Sequence, residues 1–267
     1  MRNICLTLAY DGTDYVGWQI QPNGVSVQSV VETAIQKLTG EKVRLMAAGR
    51  TDSGVHALGQ VAAFPTNSDI SCKKIKDGLI HFLPEDVTVR DVKEVAAKFH
   101  PTYSAKQKRY RYVIYNSRDP EPFLRKYVWH FWQELDVAAM HEAGQVLLGK
   151  HDFRCFESHF PNKATSVRTI KELTVGRFSG WPIWNQFGAL SNEAQPDANG
   201  KFICLDIVAD GFLYNMVRAI TGTLLKVGQG RWSKEHVKNI VKQQDRSQAG
   251  ETAPPQGLYL VKVDYEP

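Results

Sequence analysis

The segment Ala48-Gly49-Arg50-Thr51-Asp52-Ser53-Gly54-Val55-His56-Ala57-Leu58-Gly59-Gln60-Val61 gathers an arginine, an aspartate and a histidine in one short stretch. Gly49 and Gly54 suggest a tight, shaped loop between two strands. An aspartate beside an arginine stays ionised even where water is scarce. Asp52 could then act as a nucleophile or stabilise developing positive charge. The same residues also suit a β-turn in which Asp52 bonds backbone amides, and residue types alone leave both readings open. Ordinary glycoside hydrolysis generally uses two carboxylates, and this loop offers one.

Other clusters carry less. His151, Asp152, Cys155 and His159 could be drawn as metal ligands, but their spacing on an unplaced segment is a weak pattern, so no metal is expected. The four cysteines, Cys5, Cys72, Cys155 and Cys204, form no close pairs and read as free thiols in a reducing compartment. No P-loop or G-x-G-x-x-G is present, and no cofactor is called for. No apolar run approaches the roughly 18 residues of a membrane helix, and the N-terminus reads as a strand with no signal peptide. The expected location is the cytoplasm.

Net charge is +5 with a pI near 8.9. Residues 1–104 hold 11 Lys+Arg and 11 Asp+Glu, whereas residues 105–267 hold 22 and 17. The positive excess therefore lies wholly in the second half. From Lys98 to Arg111, the bases Lys106, Lys108 and Arg109 alternate with Tyr103 and Tyr110, and Tyr112 follows. Bases among aromatics suit a polyanion with stackable bases, such as RNA; a solvated strand face is the plainer reading. Alternation along a strand puts Lys108 with Tyr110 and Tyr112 on one face and Arg109 with Arg111 on the other. Only one of these two sets should then contact phosphate, and alternation leaves open which.

These residues need elements to hold them. Ile4, Leu6, Leu8 and Tyr10 alternate as a strand ending at Asp11-Gly12. Val27, Val30, Val31, Ala34, Ile35 and Leu38 recur at helical spacing, with Ser26 as N-cap and Gly40 as stop. Strands are predicted over Val43–Ala48 and Gln60–Phe64, a helix through Ile75, Leu79 and Phe82, and a strand through Val87, Val89 and Val92. The second half predicts strands at Arg109–Tyr115, Val167–Phe178 and Phe202–Val208, and a last one through Leu258, Leu260 and Val263. Its helices are predicted at Val137–Leu148, Leu213–Val227 and Ser233–Gln243. Trp129, Phe131 and Trp132 read as core or sheet packing. Residues 179–200 read as a long surface loop, in which Trp181 and Trp184 either touch RNA or pin the loop. The mixture lacks a parallel βαβ rhythm, so the fold class is α+β with antiparallel sheet. Two halves are expected, 1–104 and 105–267.

The string G-R-T-D-S-G-V-H at Gly49–His56 resembles the signature of the TruA family of tRNA pseudouridine synthases. Four more segments are similar to that family in order along the chain. They are Leu8–Thr13 with Tyr15, Gly17, Trp18 and Gln19; Lys108-Arg109-Tyr110-Arg111-Tyr112; Gly211–Arg218; and Ala253–Leu260. The resemblance implies an isomerase with two pseudo-symmetric halves whose antiparallel sheets join across a central cleft. It implies that Asp52 is catalytic, that Tyr110 stacks on the target base and assists proton loss, and that Arg218 pairs with the aspartate. Arg50 would help hold the nucleotide flipped out, and Tyr110 facing the cleft would put Lys108 on that side as a phosphate contact, leaving Arg109 and Arg111 to pair with acids or solvent. His56 reads as a packing histidine in preference to a general base, and His151-Asp152-Phe153 as a structural junction. A homodimer acting on tRNA is implied, at uridines 38, 39 and 40 of the anticodon stem-loop. The reaction breaks the N1–C1′ bond of uridine, turns the base over and joins C5 to C1′. A single carboxylate can stabilise or capture the sugar cation while water is excluded. The rivals are a non-catalytic RNA-binding module and a small-molecule nucleosidase.

Overall fold

In the computed structural model, the described residues are 1–158, 165–184, 197 and 199–266. The strands are β1 (Arg2–Tyr10), β2 (Met46–Ala47), β3 (His56–Thr66), β4 (Val87–Val95), β5 (Ala105–Asn116), β6 (Trp129–Phe131), β7 (Gly149–Asp152), β8 (Val167–Phe178), β9 (Phe202–Ala209) and β10 (Leu258–Tyr265). The helices are α1 (Val27–Thr39), α2 (Cys72–Phe82), α3 (Val137–Gly144), α4 (Met216–Gly228) and α5 (Lys234–Gln243). The chain divides into two compact units, Met1–Lys108 with Tyr259–Pro267, and Arg109–Leu258.

In the first unit the strand order is β4-β1-β3-β10, with β2 on β3. β1 pairs antiparallel with β3 and β4, and β10 runs parallel to β3, setting Tyr259 opposite His56. α1 starts and stops where side-chain chemistry dictates. Ser26 and Ser29 form a reciprocal capping box, and Gly40 closes the helix at φ 76°. Val27, Val31, Ala34 and Ile35 are buried on one face. The second unit has the order β5-β9-β8-β7, with β6 parallel to β5. Its helix α4 is buried along most of its length. The α+β class with mostly antiparallel sheet is therefore observed.

Some boundaries differ from expectation. The strand predicted over Val43–Ala48 shrinks to Met46–Ala47, paired with Ala63 and Ala62. β3 begins at His56, four residues before Gln60. α3 stops at Gly144 and gives way to a 3-10 turn over Gln145–Leu147. α4 starts at Met216, because Asn215 takes a left-handed conformation at φ 60°. Trp132 is 65% exposed, against the expectation that it packs in the core. Trp181 packs edge-on against Phe202 at 5.7 Å. Residues 185–196 and 198 and the side chain of Trp184 lie outside the described residues. Of the four cysteines, all unpaired, Cys72 is half-buried and the others are buried.

Candidate active site

The loop that carries Asp52 is tied down along its backbone. It enters from Ala48, whose N–H donates to Val61 O at 2.8 Å. Ala48 O accepts from Lys108 Nζ at 2.6 Å, and Gly49 O accepts from Gln60 Nε2 at 2.9 Å. Thr51 O accepts from Trp18 N at 3.0 Å, and Asp52 O accepts from Val55 N at 3.1 Å. That last bond closes a turn over Asp52-Ser53-Gly54-Val55 with Gly54 at φ 75°, the conformation glycine adopts at least cost. Ser53 Oγ donates to Tyr15 O at 3.1 Å. The loop is thus a turn, and it presents a half-buried Asp52 beside an exposed Arg50.

Residues from the end of β1 and the following turn brace this loop. Tyr10 Oη and Thr51 Oγ1 are 2.8 Å apart and hydrogen-bonded. Burial raises the Tyr10 phenol well above its ordinary range, opposed by hydrogen bonds to Thr51 and Gln60, so it serves as a neutral prop. Gly17, at φ 106°, lets the turn lie flat on the loop: a Cβ there would sit 2.6 Å from Thr51 O. Gly12 packs as tightly on Val55 O. Its N–H donates to His56 Nδ1 at 3.1 Å, and the buried ring stacks on Tyr259 at 4.8 Å. His56 occupies a packing position at the foot of the loop.

The second unit carries the other two expected catalytic residues. Tyr110 is buried on β5 and meets Phe212 edge-on at 4.9 Å. Arg218 lies in the first turn of α4. Its Nε donates to Ala253 O at 2.7 Å and its Nη1 to Asn215 Oδ1 at 2.8 Å. Ala253 N returns a bond to Arg218 O at 3.1 Å. The next carbonyl, Pro254 O, accepts from Tyr112 Oη at 2.7 Å. Burial raises the Tyr112 phenol well above its usual range, against the opposing charge of Arg218. Gly257 lets the tail close on that ring, since a Cβ there would lie 2.6 Å from Tyr112 Cζ. Ala253 thus holds Arg218 twice, its carbonyl accepting from the guanidinium and its N–H donating to the Arg218 carbonyl.

On β5 the alternate residues separate as predicted. Arg109 pairs with Glu172 of β8 at 2.6 Å, and Arg111 grips both oxygens of Asp206 on β9 at 2.6 Å. Burial opposes the Arg111 charge most strongly, yet the hydrogen bond and the charge of Asp206, with a smaller contribution from Cys204, together raise its pKa. Lys106 pairs with Glu266 at the surface. Lys108 is only 9% exposed, and its ammonium is bonded to the loop at Ala48 O. Of the possible metal ligands, His159 lies outside the described residues. His151 Nε2 is 2.9 Å from Leu148 O, Asp152 pairs with Arg154 at 2.7 Å, and Cys155 is buried. His151 and Asp152 end β7 and lead into a 3-10 turn at Arg154–Phe156. Sequence reasoning passed over Gln60, whose signal was an amide in an otherwise apolar strand.

The chain is similar to known proteins along nearly its whole length. The family described as tRNA pseudouridine synthase matches residues 7–104 and 143–266. Those stretches contain Asp52 and Arg218, while Lys108 and Tyr110 fall between them. Full-length relatives span that interval. The chain is 44% identical over 265 residues to a tRNA pseudouridine synthase A of Thermoanaerobacter sp. (strain X514), covering 99% of this chain and 100% of the relative. The same identity and coverage hold for the namesake in Acetivibrio thermocellus, and 40% identity for that of Geotalea daltonii. An aspartate loop held at the carbonyls of Ala48, Gly49, Thr51 and Asp52, on a sequence alike from end to end, identifies the chain as a member of the tRNA pseudouridine synthase family, isomerases that convert uridine to pseudouridine in tRNA.

Proposed function

We propose that Asp52 is the catalytic carboxylate, that Tyr110 and Arg218 act with it on the target nucleotide, and that Arg50 holds that nucleotide out of the stack. The substrate uridines are those at positions 38, 39 and 40 of the anticodon stem-loop, and the working form is a cytoplasmic homodimer. The observation that carries the reading is the braced turn, which offers one carboxylate from a backbone that does not need to reorganise during the reaction. Asp52 stabilises or captures the cation formed as the N1–C1′ bond breaks. Tyr110 stacks on the base. Its phenol then assists loss of the C5 proton once C5 has joined C1′. Arg218, positioned by Ala253 O and Asn215, keeps the carboxylate ionised.

The test uses tRNA tritiated at uridine C5. The wild-type protein releases tritium without releasing free uracil, and mapping places the label lost at positions 38–40. Asp52→Asn keeps shape and loses charge, so turnover falls below detection while tRNA affinity stays within about twofold. Wild-type tritium release by the purified variant would remove Asp52 from the chemistry. Sedimentation of the pure protein reads the dimer directly.

A further inference from the structure

We propose that Lys108 is a positioning residue for the Asp52 loop. It rests on the reading of Asp52 as the catalytic carboxylate. A lysine ammonium is strongly hydrated, and burying one is costly unless protein acceptors replace the water. Lys108 is buried, and its Nζ lies 2.6 Å from Ala48 O, a charge-assisted bond of the short, strong kind. Gly49 leaves room for the approach, because a Cβ at that position would crowd Nζ at 3.1 Å. The adjoining carbonyl, Gly49 O, is held by Gln60 Nε2 from within β3. Two successive carbonyls are therefore fixed by two side chains on different strands, directly before Arg50 and Asp52. Fixing both carbonyls fixes the direction in which the chain enters the turn, and hence where the Asp52 carboxylate points. A phosphate contact requires an ammonium presented to solvent, and Lys106, half-exposed on the same strand, meets that requirement where Lys108 does not.

The two roles make opposite demands on the kinetics. Single-turnover pseudouridine formation at saturating tRNA, and tRNA binding across a salt series, are measured for Lys108→Met and Lys108→Arg beside wild type. A positioning role predicts a single-turnover rate about ten- to a hundredfold lower in both variants, with unchanged affinity and unchanged slope of log affinity against log salt. Arginine decides alone should the methionine variant fail to fold. It keeps the charge and binds phosphate well, but its fork does not reproduce one Nζ donor against Ala48 O beside Gly49. Weaker binding and a slope lower by about one in Lys108→Met, with a wild-type rate at saturation and an unimpaired Lys108→Arg, would make Lys108 a phosphate contact and overturn the proposal. Asp52→Asn is measured alongside. A wild-type rate there removes the assignment of Asp52, whereas wild-type rates in both Lys108 variants beside an inactive Asp52→Asn remove only the role of Lys108.

Discussion

Replacing Gly17 by alanine tests whether the turn after β1 sets the position of the catalytic loop. Two costs add. At φ 106° any L side chain is strained, at about 1–2 kcal/mol. The new Cβ also meets Thr51 O at 2.6 Å, Asp52 C at 3.1 Å and Ser53 N at 3.1 Å, all backbone atoms that cannot rotate away. Ordinary contact begins near 3.4 Å, so turn and loop must part by about 0.8 Å, at an overpacking cost of about 1–3 kcal/mol. Gly40→Ala supplies the control. Gly40 also has a positive φ, 76°, but nothing lies within 4 Å of its Cβ position. Both variants carry a positive φ and lose conformational entropy in the unfolded chain, so the clash is the main difference between them. Gly17→Ala is expected to lose about 1–3 kcal/mol more than Gly40→Ala in urea unfolding. A displacement approaching 1 Å at the reacting group costs up to about a hundredfold in rate. Single-turnover tritium release should therefore fall by tens-fold in Gly17→Ala and not at all in Gly40→Ala. Equal stabilities and equal rates in the two variants would refute the idea that the turn holds the loop.

Arg111→Ala leaves Asp206 partly buried without its bidentate partner and is expected to destabilise the protein by about 3–5 kcal/mol in urea unfolding. The salt slope of tRNA binding should not change; a slope lower by about one would put Arg111 on a phosphate. Burial pushes the Cys5 thiol up to about 11 from 9.0. The folded state therefore holds the proton more tightly than the unfolded state, and this contribution to stability is lost as pH rises from about 9 to about 11. Cys5→Ala lacks the titrating group, so its stability deficit relative to wild type should narrow over that window. A gap that stays constant in paired urea titrations would contradict the assignment.

Local pattern was a sound guide wherever a single element carries its own punctuation. Ser26 and Gly40 bracket α1 because a cap and a left-handed stop are decided by neighbours in sequence. β8 runs from Val167 to Phe178 as its alternation predicts. Strand alternation put Arg109 and Arg111 on one face, where Glu172 and Asp206 meet them. Boundaries failed where a partner decides them. β2 is two residues long because only Met46 and Ala47 find a register on β3. Asn215 delays α4 by adopting a conformation that propensity does not foresee.

The sequence by itself determined the α+β class, the position of most elements, the family and the loop in which a single aspartate sits, because these depend on residue type and spacing along the chain. Only the tertiary structure decided what holds that loop. Lys108, Gln60 and Trp18 come from separate segments to bond its backbone, Tyr10 bonds its Thr51 hydroxyl, and Ala253 and Pro254 come from near the end of the chain to fix Arg218 and Tyr112. β10, the last strand, lies parallel to β3 with Tyr259 stacked on His56. The physical reason is that a donor's periodicity says which face it occupies but not which carbonyl it will meet. That choice follows from closing distant segments on one another, where burial obliges each polar group to find a partner.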